Sequence, residues 1–127
     1  MQILIVDDSE LMRTIVEQVI RDNLKEAAER IGFHHAANGK DAMDIFEQSK
    51  IDLVFLDWNM PVLDGVEFVR EIRMNGNKVP IVMITSVTDS EKILQAAAAG
   101  VNSYVEKPVR GPQLWNQIGM FFRNAGF

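Results

Sequence analysis

Short apolar runs alternate with amphipathic stretches along this chain, and the alternation limits its possible folds more than any other feature. Ile3–Val6, Leu53–Leu56 and Ile81–Ile84 are uninterrupted aliphatic runs, as expected of strands buried on both faces of a parallel sheet. Weaker runs at Ser103–Val105 and around residues 33–37 bring the number of predicted strands to five. Strands that alternate with helices predict an α/β fold with helices on both faces of the sheet.

Five amphipathic segments follow the five apolar runs. The first has apolar residues at helical spacing from Leu11 to Ile31, with Ser9 as a capping residue before it and Gly32 as a stop after it. This spacing predicts one helix of roughly 22 residues, which is long for a domain of this size. The other helices are predicted around Ala42–Phe46, Val66–Ile72, Ile93–Ala97 and Leu114–Phe122, with Gly100 closing the fourth and Pro112 opening the fifth.

Length and composition indicate an ordinary soluble domain. The 127 residues and 47% hydrophobic content suffice for one core, and we expect a single domain over residues 1–127 without an output domain. No apolar run is long enough for a membrane span, no signal peptide is indicated, and a cytoplasmic location is expected. Cysteine is absent, which excludes disulfides and thiolate zinc sites. A net charge of −5 with scattered basic residues argues against nucleic-acid binding.

Polar side chains follow four of the predicted strands at their carboxyl ends. Asp7 and Asp8 follow the first strand, Asp57 the third, Thr85 the fourth and Lys107 the fifth. Because the carboxyl ends of parallel strands share one edge of the sheet, we expect these groups to line one pocket. Each alone is weak evidence, since an Asp at a strand end is more often a turn or capping residue. Three carboxylates without histidine or cysteine beside them favour a hard cation, and Mg2+ is the usual one.

This combination of groups suits phosphoryl transfer to a carboxylate. A carboxylate beside Mg2+ and an ammonium group can act as a nucleophile and form an acyl phosphate. Such transfer depends on positioning and charge neutralisation more than on acid-base chemistry. Mg2+ and Lys107 would neutralise the transferred oxygens, and the Thr85 hydroxyl would supply a hydrogen bond. The sequence therefore predicts a phosphoacceptor site at Asp57.

Four segments around these residues form a specific pattern over nearly the whole chain: Asp7-Asp8, Leu56–Pro61 with Asp64-Gly65, Ile84–Ser86 and Glu106–Pro108. They resemble the receiver domains of bacterial two-component response regulators, and most closely the single-domain, CheY-like chemotaxis type. The resemblance implies a flavodoxin-like (βα)5 three-layer sandwich with a five-stranded parallel sheet. It also implies the strand order 2-1-3-4-5, of which CheY is a standard example, and a cis Lys107–Pro108 peptide bond.

The same resemblance implies the roles of the metal ligands and of the phosphoacceptor. Asp57 would be phosphorylated by a partner histidine kinase of the CheA type. Asp8 and Asp57 would bind Mg2+ through their side chains and Asn59 through its backbone carbonyl, while Asp7 would act through a water molecule. Mg2+ is the only cofactor implied.

The resemblance also implies a switch and its partners. Thr85 and Lys107 would contact the phosphoryl group, and Tyr104 would be the switch aromatic that moves inward when Thr85 is drawn to the phosphate. The product would be a signalling protein rather than an enzyme. We expect a monomer, or less readily a dimer, that binds a flagellar motor component or passes phosphate along a relay. The binding face would comprise the fourth helix, fifth strand and fifth helix.

The chain departs from the family pattern at its second strand. The stretch from Asp8 to Gly32 is longer than expected by about two helical turns, and the segment Gly32 to Gly39 is a few residues short. We therefore predict a first helix that projects past the sheet, with a stunted second strand. The exposed helix end is a hypothetical partner or dimer surface. His34 and His35, the only histidines, are expected to be surface or packing residues.

Three other functions share parts of this pattern. A phosphorelay intermediate or phosphate sink in another two-component pathway would use the same site. A haloacid-dehalogenase-like phosphatase also uses an Asp nucleophile with Mg2+, but there a second Asp stands two residues on, where this chain has Asn59. A flavodoxin-like cofactor binder would need a phosphate-binding loop after the first strand, where Asp7 and Asp8 would repel phosphate. The phosphorylation switch remains the preferred prediction.

Overall fold

The structure, a computed structural model, describes residues 1–127 as an α/β sandwich around one parallel sheet. The five strands lie in the order β2-β1-β3-β4-β5, and every neighbouring pair is parallel. This confirms the predicted fold class and strand order. The strands are β1 (Gln2–Val6), β2 (Gly32–Ala36), β3 (Leu53–Leu56), β4 (Ile81–Thr85) and β5 (Ser103–Glu106).

Five helices cover the two faces of the sheet, and none of them is both long and apolar enough to cross a membrane. Residues of β1 alternate between the faces, so Ile3 and Ile5 pack towards one helical layer and Leu4 and Val6 towards the other. The first layer holds α1 and α5, and the second holds α2, α3 and α4. The helices are α1 (Glu10–Leu24), α2 (Gly39–Gln48), α3 (Gly65–Met74), α4 (Ser90–Ala99) and α5 (Gly111–Asn124).

Ser9, Gly100 and Pro112 act at helix ends as predicted, whereas Gly32 is the first residue of β2 and ends no α-helix. The Ser9 hydroxyl accepts a hydrogen bond from the Met12 N–H at 3.2 Å and so caps α1. Gly100 ends α4 with a φ of 113°, a left-handed conformation that glycine adopts at little cost. Pro112 lies in the first turn of α5, where its missing N–H has no helical partner to lose. Ser9 and Pro112 follow β1 and β5 at the carboxyl edge of the sheet, whereas Gly100 precedes β5 at the opposite edge.

The prediction of one long first helix is wrong. The α-helix ends at Leu24, Lys25 has a φ of 53°, and a 3-10 helix, η1 (Lys25–Arg30), leads into β2. A 3-10 turn also brings residues three apart onto one face, so it buries Ala28 and continues the apolar pattern that predicted an α-helix. The second strand is not stunted, because β2 has five residues and pairs with β1 from Gln2↔Gly32 to Val6↔Ala36.

Val62, in the loop between β3 and α3, has a backbone conformation that valine rarely adopts. Its φ is 74°, and the residue is 80% exposed. Burial of the side chain therefore offsets little of the backbone strain. A left-handed conformation costs an L-residue roughly 1–2 kcal/mol, and asparagine tolerates it better than most. We expect Val62→Asn to raise the free energy of unfolding by about 1 kcal/mol in urea denaturation. Val62→Ala, which keeps a Cβ, is the matched control and should gain less. A Val62→Asn protein no more stable than wild type contradicts the strain.

Candidate functional site

The carboxylates of Asp7, Asp8 and Asp57 meet at the carboxyl edge of the sheet. One carboxylate oxygen from each lies within 4.8 Å of the others. Asp7 and Asp57 are 3% and 7% exposed because they directly follow the buried strands β1 and β3, whereas Asp8 faces solvent. The sheet itself joins the two buried residues, since the Asp57 N–H donates to the Val6 carbonyl at 3.1 Å. The structure thus brings together the three carboxylates that the sequence predicted.

Lys107 links the two buried carboxylates. Its Nζ donates to Asp7 Oδ2 and to Asp57 Oδ2, each at 3.0 Å. Partial burial acts to lower the pKa of Lys107, but the hydrogen bonds to Asp7 and Asp57 outweigh it and raise the pKa. The ammonium is therefore charged across the neutral pH range. The Lys107–Pro108 bond is cis, as expected.

The remaining oxygens of the two buried carboxylates are held by backbone amides. Asp57 Oδ1 accepts from the Asn59 N–H at 3.3 Å, and Asp7 Oδ1 accepts from the Ser9 N–H at 2.9 Å. Each bond spans two residues and fixes a tight turn at the end of a strand. Asn59 is exposed on the turn after Asp57. The use of its carbonyl as a metal ligand stays a prediction.

The chemistry of this donor set fits a hard divalent cation. All three side chains offer carboxylate oxygens, and no histidine or cysteine lies in the cluster. Three ionised carboxylates and one ammonium sum to two negative charges, which Mg2+ would neutralise. The exposed position of Asp8 leaves the cluster open to solvent on one side.

Thr85 and Tyr104 are joined through the backbone of Val87. Thr85 is fully buried at the end of β4, and its Oγ1 accepts from the Val87 N–H at 3.3 Å. The half-buried Tyr104 donates its hydroxyl hydrogen to the Val87 carbonyl. Thr85 makes no hydrogen bond to Asp57 in this state, although Met83↔Leu56 pairing places the end of β4 beside the end of β3. The two predicted switch residues therefore share one bonding partner.

The negative charge of the pocket reaches Tyr104. Desolvation, Asp57 and Glu106 together raise the pKa of the Tyr104 phenol, with desolvation the largest cause. The hydroxyl is accordingly protonated and can donate to Val87. Added negative charge at Asp57 would favour the protonated phenol further.

Two parts of this arrangement were missed from the sequence. Val87 acts through its backbone, and a backbone hydrogen bond carries no residue-type signal. Arg13 donates from Nη1 to the Asp7 carbonyl, but an arginine on an amphipathic helix looks like any solvated charge. The only sequence signal for Arg13 was its position five residues after the acidic pair. From the first turns of α1, its side chain reaches back to the turn that carries this pair.

Comparison with known proteins agrees with the geometry. Residues 3–119 match the model of the response regulator receiver domain. The chain is 35% identical to the chemotaxis protein CheY-3 of Vibrio cholerae, over 96% of this chain and 92% of that protein. It is 34% identical to the chemotaxis protein CheY of Pseudomonas aeruginosa, over 98% of each.

Solved structures show the same similarity. The chemotaxis response regulator CheY4 of Vibrio cholerae superposes with a TM-score of 0.81 at 30% identity, covering 94% of this chain and 97% of that one. A two-component response regulator from Clostridium difficile gives a TM-score of 0.84 at 25% identity, covering 99% and 98%. The fold, the acidic pocket and the matched sequence model all lead to one assignment: the chain belongs to the response-regulator receiver domain family.

Proposed function

We propose that this chain is a phosphorylation switch in which Asp57 accepts a phosphoryl group from a histidine kinase in a Mg2+-dependent reaction. The observation that carries the proposal is the placement of Lys107 Nζ 3.0 Å from both Asp7 and Asp57 within a cluster of three carboxylates. A lone buried carboxylate would repel a phosphoryl group. One beside an ammonium and a divalent cation can attack it.

The residues of the pocket would have separate roles in the transfer. An Asp57 carboxylate oxygen forms the new O–P bond while the P–N bond to the kinase histidine breaks and its electron pair returns to the imidazole. Asp8, Asp57 and the Asn59 carbonyl would hold Mg2+, with Asp7 acting through water, and the ion would neutralise charge on the transferred oxygens. Lys107 already contacts the acceptor carboxylate, so little movement takes its ammonium to a phosphoryl oxygen.

The backbone of Val87 would connect a phosphoryl group on Asp57 to the protein surface, because it contacts both Thr85 and Tyr104. The phosphoryl group adds negative charge and three acceptor oxygens at Asp57. The Thr85 hydroxyl would turn to donate to one of them and give up the hydrogen bond that it accepts from the Val87 N–H. Tyr104 binds the carbonyl of the same residue, so a shift of Val87 frees the phenol to move inward. This couples the pocket to the face formed by α4, β5 and α5.

The pathway is inferred from the relatives. Those at 34–35% identity are named as chemotaxis proteins. We therefore place this chain in chemotaxis signalling, with a CheA-like kinase upstream and a flagellar motor component downstream. A relay intermediate or phosphate sink would share the pocket and differ in its partner. Pull-down with and without beryllofluoride separates the two. A motor protein retained with beryllofluoride would support the chemotaxis role, and a phosphotransfer protein would support the relay.

The test is intact mass after incubation with acetyl phosphate, in Mg2+ and in EDTA. We expect a gain of one phosphoryl group that requires Mg2+. Short-lived phosphate could hide the adduct, so beryllofluoride binding is measured in parallel through the fluorescence of Trp58. Trp58 is buried next to Asp57, with the Lys92 ammonium 5.6 Å from its ring centroid. A Trp115→Phe background leaves it the only tryptophan. Absence of both the adduct and the fluorescence change would overturn the proposal.

A further inference from the structure

A line of side chains connects the edge strand β2 to the acidic turn after β1. Arg13 of α1 donates from Nη1 to the Asp7 backbone carbonyl and from Nε to His35 Nδ1 at 3.3 Å. On its other side, His35 Nε2 lies 2.7 Å from Glu17 Oε1. Glu17 Oε2 accepts from Arg21 Nε at 2.9 Å. The four side chains form one continuous network on the surface between α1 and β2.

The chemistry of the network fixes its hydrogen positions. An arginine Nε–H can only donate, so His35 Nδ1 accepts and the ring hydrogen lies on Nε2, where it is donated to Glu17. Burial acts to raise the pKa of Glu17, but the hydrogen bonds from His35 and Arg21 outweigh it and lower that pKa. Glu17 is therefore a carboxylate and a good acceptor at neutral pH. The network holds the guanidinium of Arg13 in one orientation.

The carbonyl that Arg13 binds lies between two predicted metal ligands. It belongs to the peptide that joins Asp7 to Asp8. The Asp7 N–H donates to the Ala36 carbonyl at 3.1 Å, its Oδ1 accepts from Ser9 and its Oδ2 accepts from Lys107, so Asp7 is held at four points once Arg13 is included. The Asp8 side chain is exposed and makes no hydrogen bond. The peptide that Asp7 and Asp8 share therefore sets the backbone position from which the Asp8 carboxylate extends.

We propose that Arg13 is a positioning residue for the Mg2+ pocket, and that His35 and Glu17 hold it in place from the edge of the sheet. The proposal rests on the proposed function, because it concerns the affinity of the same acidic cluster for Mg2+. It assigns a task to His35 beyond that of a surface residue. The edge strand thereby contributes to metal binding without supplying a ligand.

Two effects of Arg13 on Mg2+ binding have opposite signs. Its positive charge repels Mg2+, so loss of the charge alone would tighten binding. Its hydrogen bond orders the turn, so loss of the bond would weaken binding, as loss of groups behind metal ligands generally does. Arg13→Met removes charge and bond, whereas Arg13→Lys keeps the charge and loses the two-pronged geometry. If Arg13 acts by positioning the turn, both variants should bind Mg2+ more weakly than wild type. If Arg13 acts only through its charge, Arg13→Met should bind Mg2+ more tightly and Arg13→Lys should be unchanged.

The experiment is a Mg2+ titration without any phosphodonor, read by Trp58 fluorescence in the Trp115→Phe background at fixed ionic strength. We expect a dissociation constant roughly tenfold higher for Arg13→Met and a smaller rise for Arg13→Lys. His35→Ala should give a rise between wild type and Arg13→Met, and Arg13→Met with His35→Ala should be no weaker than Arg13→Met alone. Arg123→Met, which removes an exposed charge at the end of α5, is the matched charge control.

The outcomes are distinguishable from failure of the proposed function. If wild type binds no Mg2+, the proposed function and the positioning role both fall. If wild type binds Mg2+ and Arg13→Met binds it equally or more tightly, only the positioning role falls. Urea denaturation without Mg2+ is measured on the same variants. A purely structural role would lower the free energy of unfolding and leave the Mg2+ affinity of the folded protein unchanged, which also overturns the proposal.

Discussion

Replacing Asp57 with asparagine is expected to abolish phosphoryl incorporation from acetyl phosphate. The amide has nearly the same shape, but its single oxygen can replace only one of the two carboxylate oxygens, which now accept from Lys107 and from the Asn59 N–H. It is not a nucleophile at neutral pH, and it removes one of the three anionic oxygens that would bind Mg2+. Intact mass should show one adduct on wild type and none on Asp57→Asn. An adduct of wild-type yield on Asp57→Asn would move the acceptor to another residue.

Asp8→Asn is the matched control for that experiment. It makes the same chemical change in the same cluster but leaves the nucleophile in place. We expect phosphorylation to persist with a Mg2+ requirement shifted at least tenfold higher, in line with losses caused by changes around metal sites. The pair of variants separates nucleophile from ligand. Equal and complete loss of labelling in both variants would mean that removal of one metal ligand is enough to abolish the reaction. The pair would then not separate nucleophile from ligand.

Replacing Gly65 with alanine is expected to damage both the fold and the site. An ideal Cβ at Gly65 would lie 2.4 Å from the Asp57 carbonyl oxygen and 2.8 Å from the Trp58 Cα, and both are backbone atoms that cannot turn away. The start of α3 must shift, together with the turn that carries Asp57. Overpacking of this kind costs about 2–3 kcal/mol in the free energy of unfolding. Urea denaturation measures the cost, and the acetyl phosphate assay should show slower labelling of the protein that remains folded.

Gly111→Ala provides a matched comparison. Gly111 is also the first residue of a helix, but its Cβ would meet only Val19 Cγ2 at 3.7 Å, an ordinary contact. Alanine is the better helix former, so this variant should be as stable as wild type or slightly more stable. If Gly65→Ala is as stable as Gly111→Ala, then the start of α3 is not in tight contact with the turn that carries Asp57.

The sequence predicted the pocket well because the rule that places it is simple. Parallel strands end at one edge of a sheet, so the residues that follow them must meet there whatever lies between. Asp7, Asp57 and Lys107 are 50 residues or more apart and still come within hydrogen-bond reach. The aliphatic runs marked the buried strands for a similarly direct reason, because a strand covered on both faces tolerates few polar side chains.

Predictions were weaker where one pattern serves two structures. The break at Lys25 was invisible, because an α-helix and a 3-10 helix both bury residues three apart, and Ala27 and Ala28 fit either. Arg13 and His35 were equally hidden, since their task depends on which side chains meet across α1 and β2. Val62 has a strained φ that no propensity scale assigns to valine. These features depend on backbone conformation or on contacts across the fold, neither of which a local pattern specifies.

The η1 turn offers a place to attach a reporter. It lies between the end of α1 and the first pair of β1 and β2, at the edge of the sheet opposite the carboxylates. Glu26 and Glu29 are exposed there, and η1 buries only Ala28. The chain has no cysteine, so one introduced at Glu29 would be its only thiol. A dye attached at that position could test for partner binding on the proposed α4, β5 and α5 face, with both the dye and its linker held away from the acidic pocket.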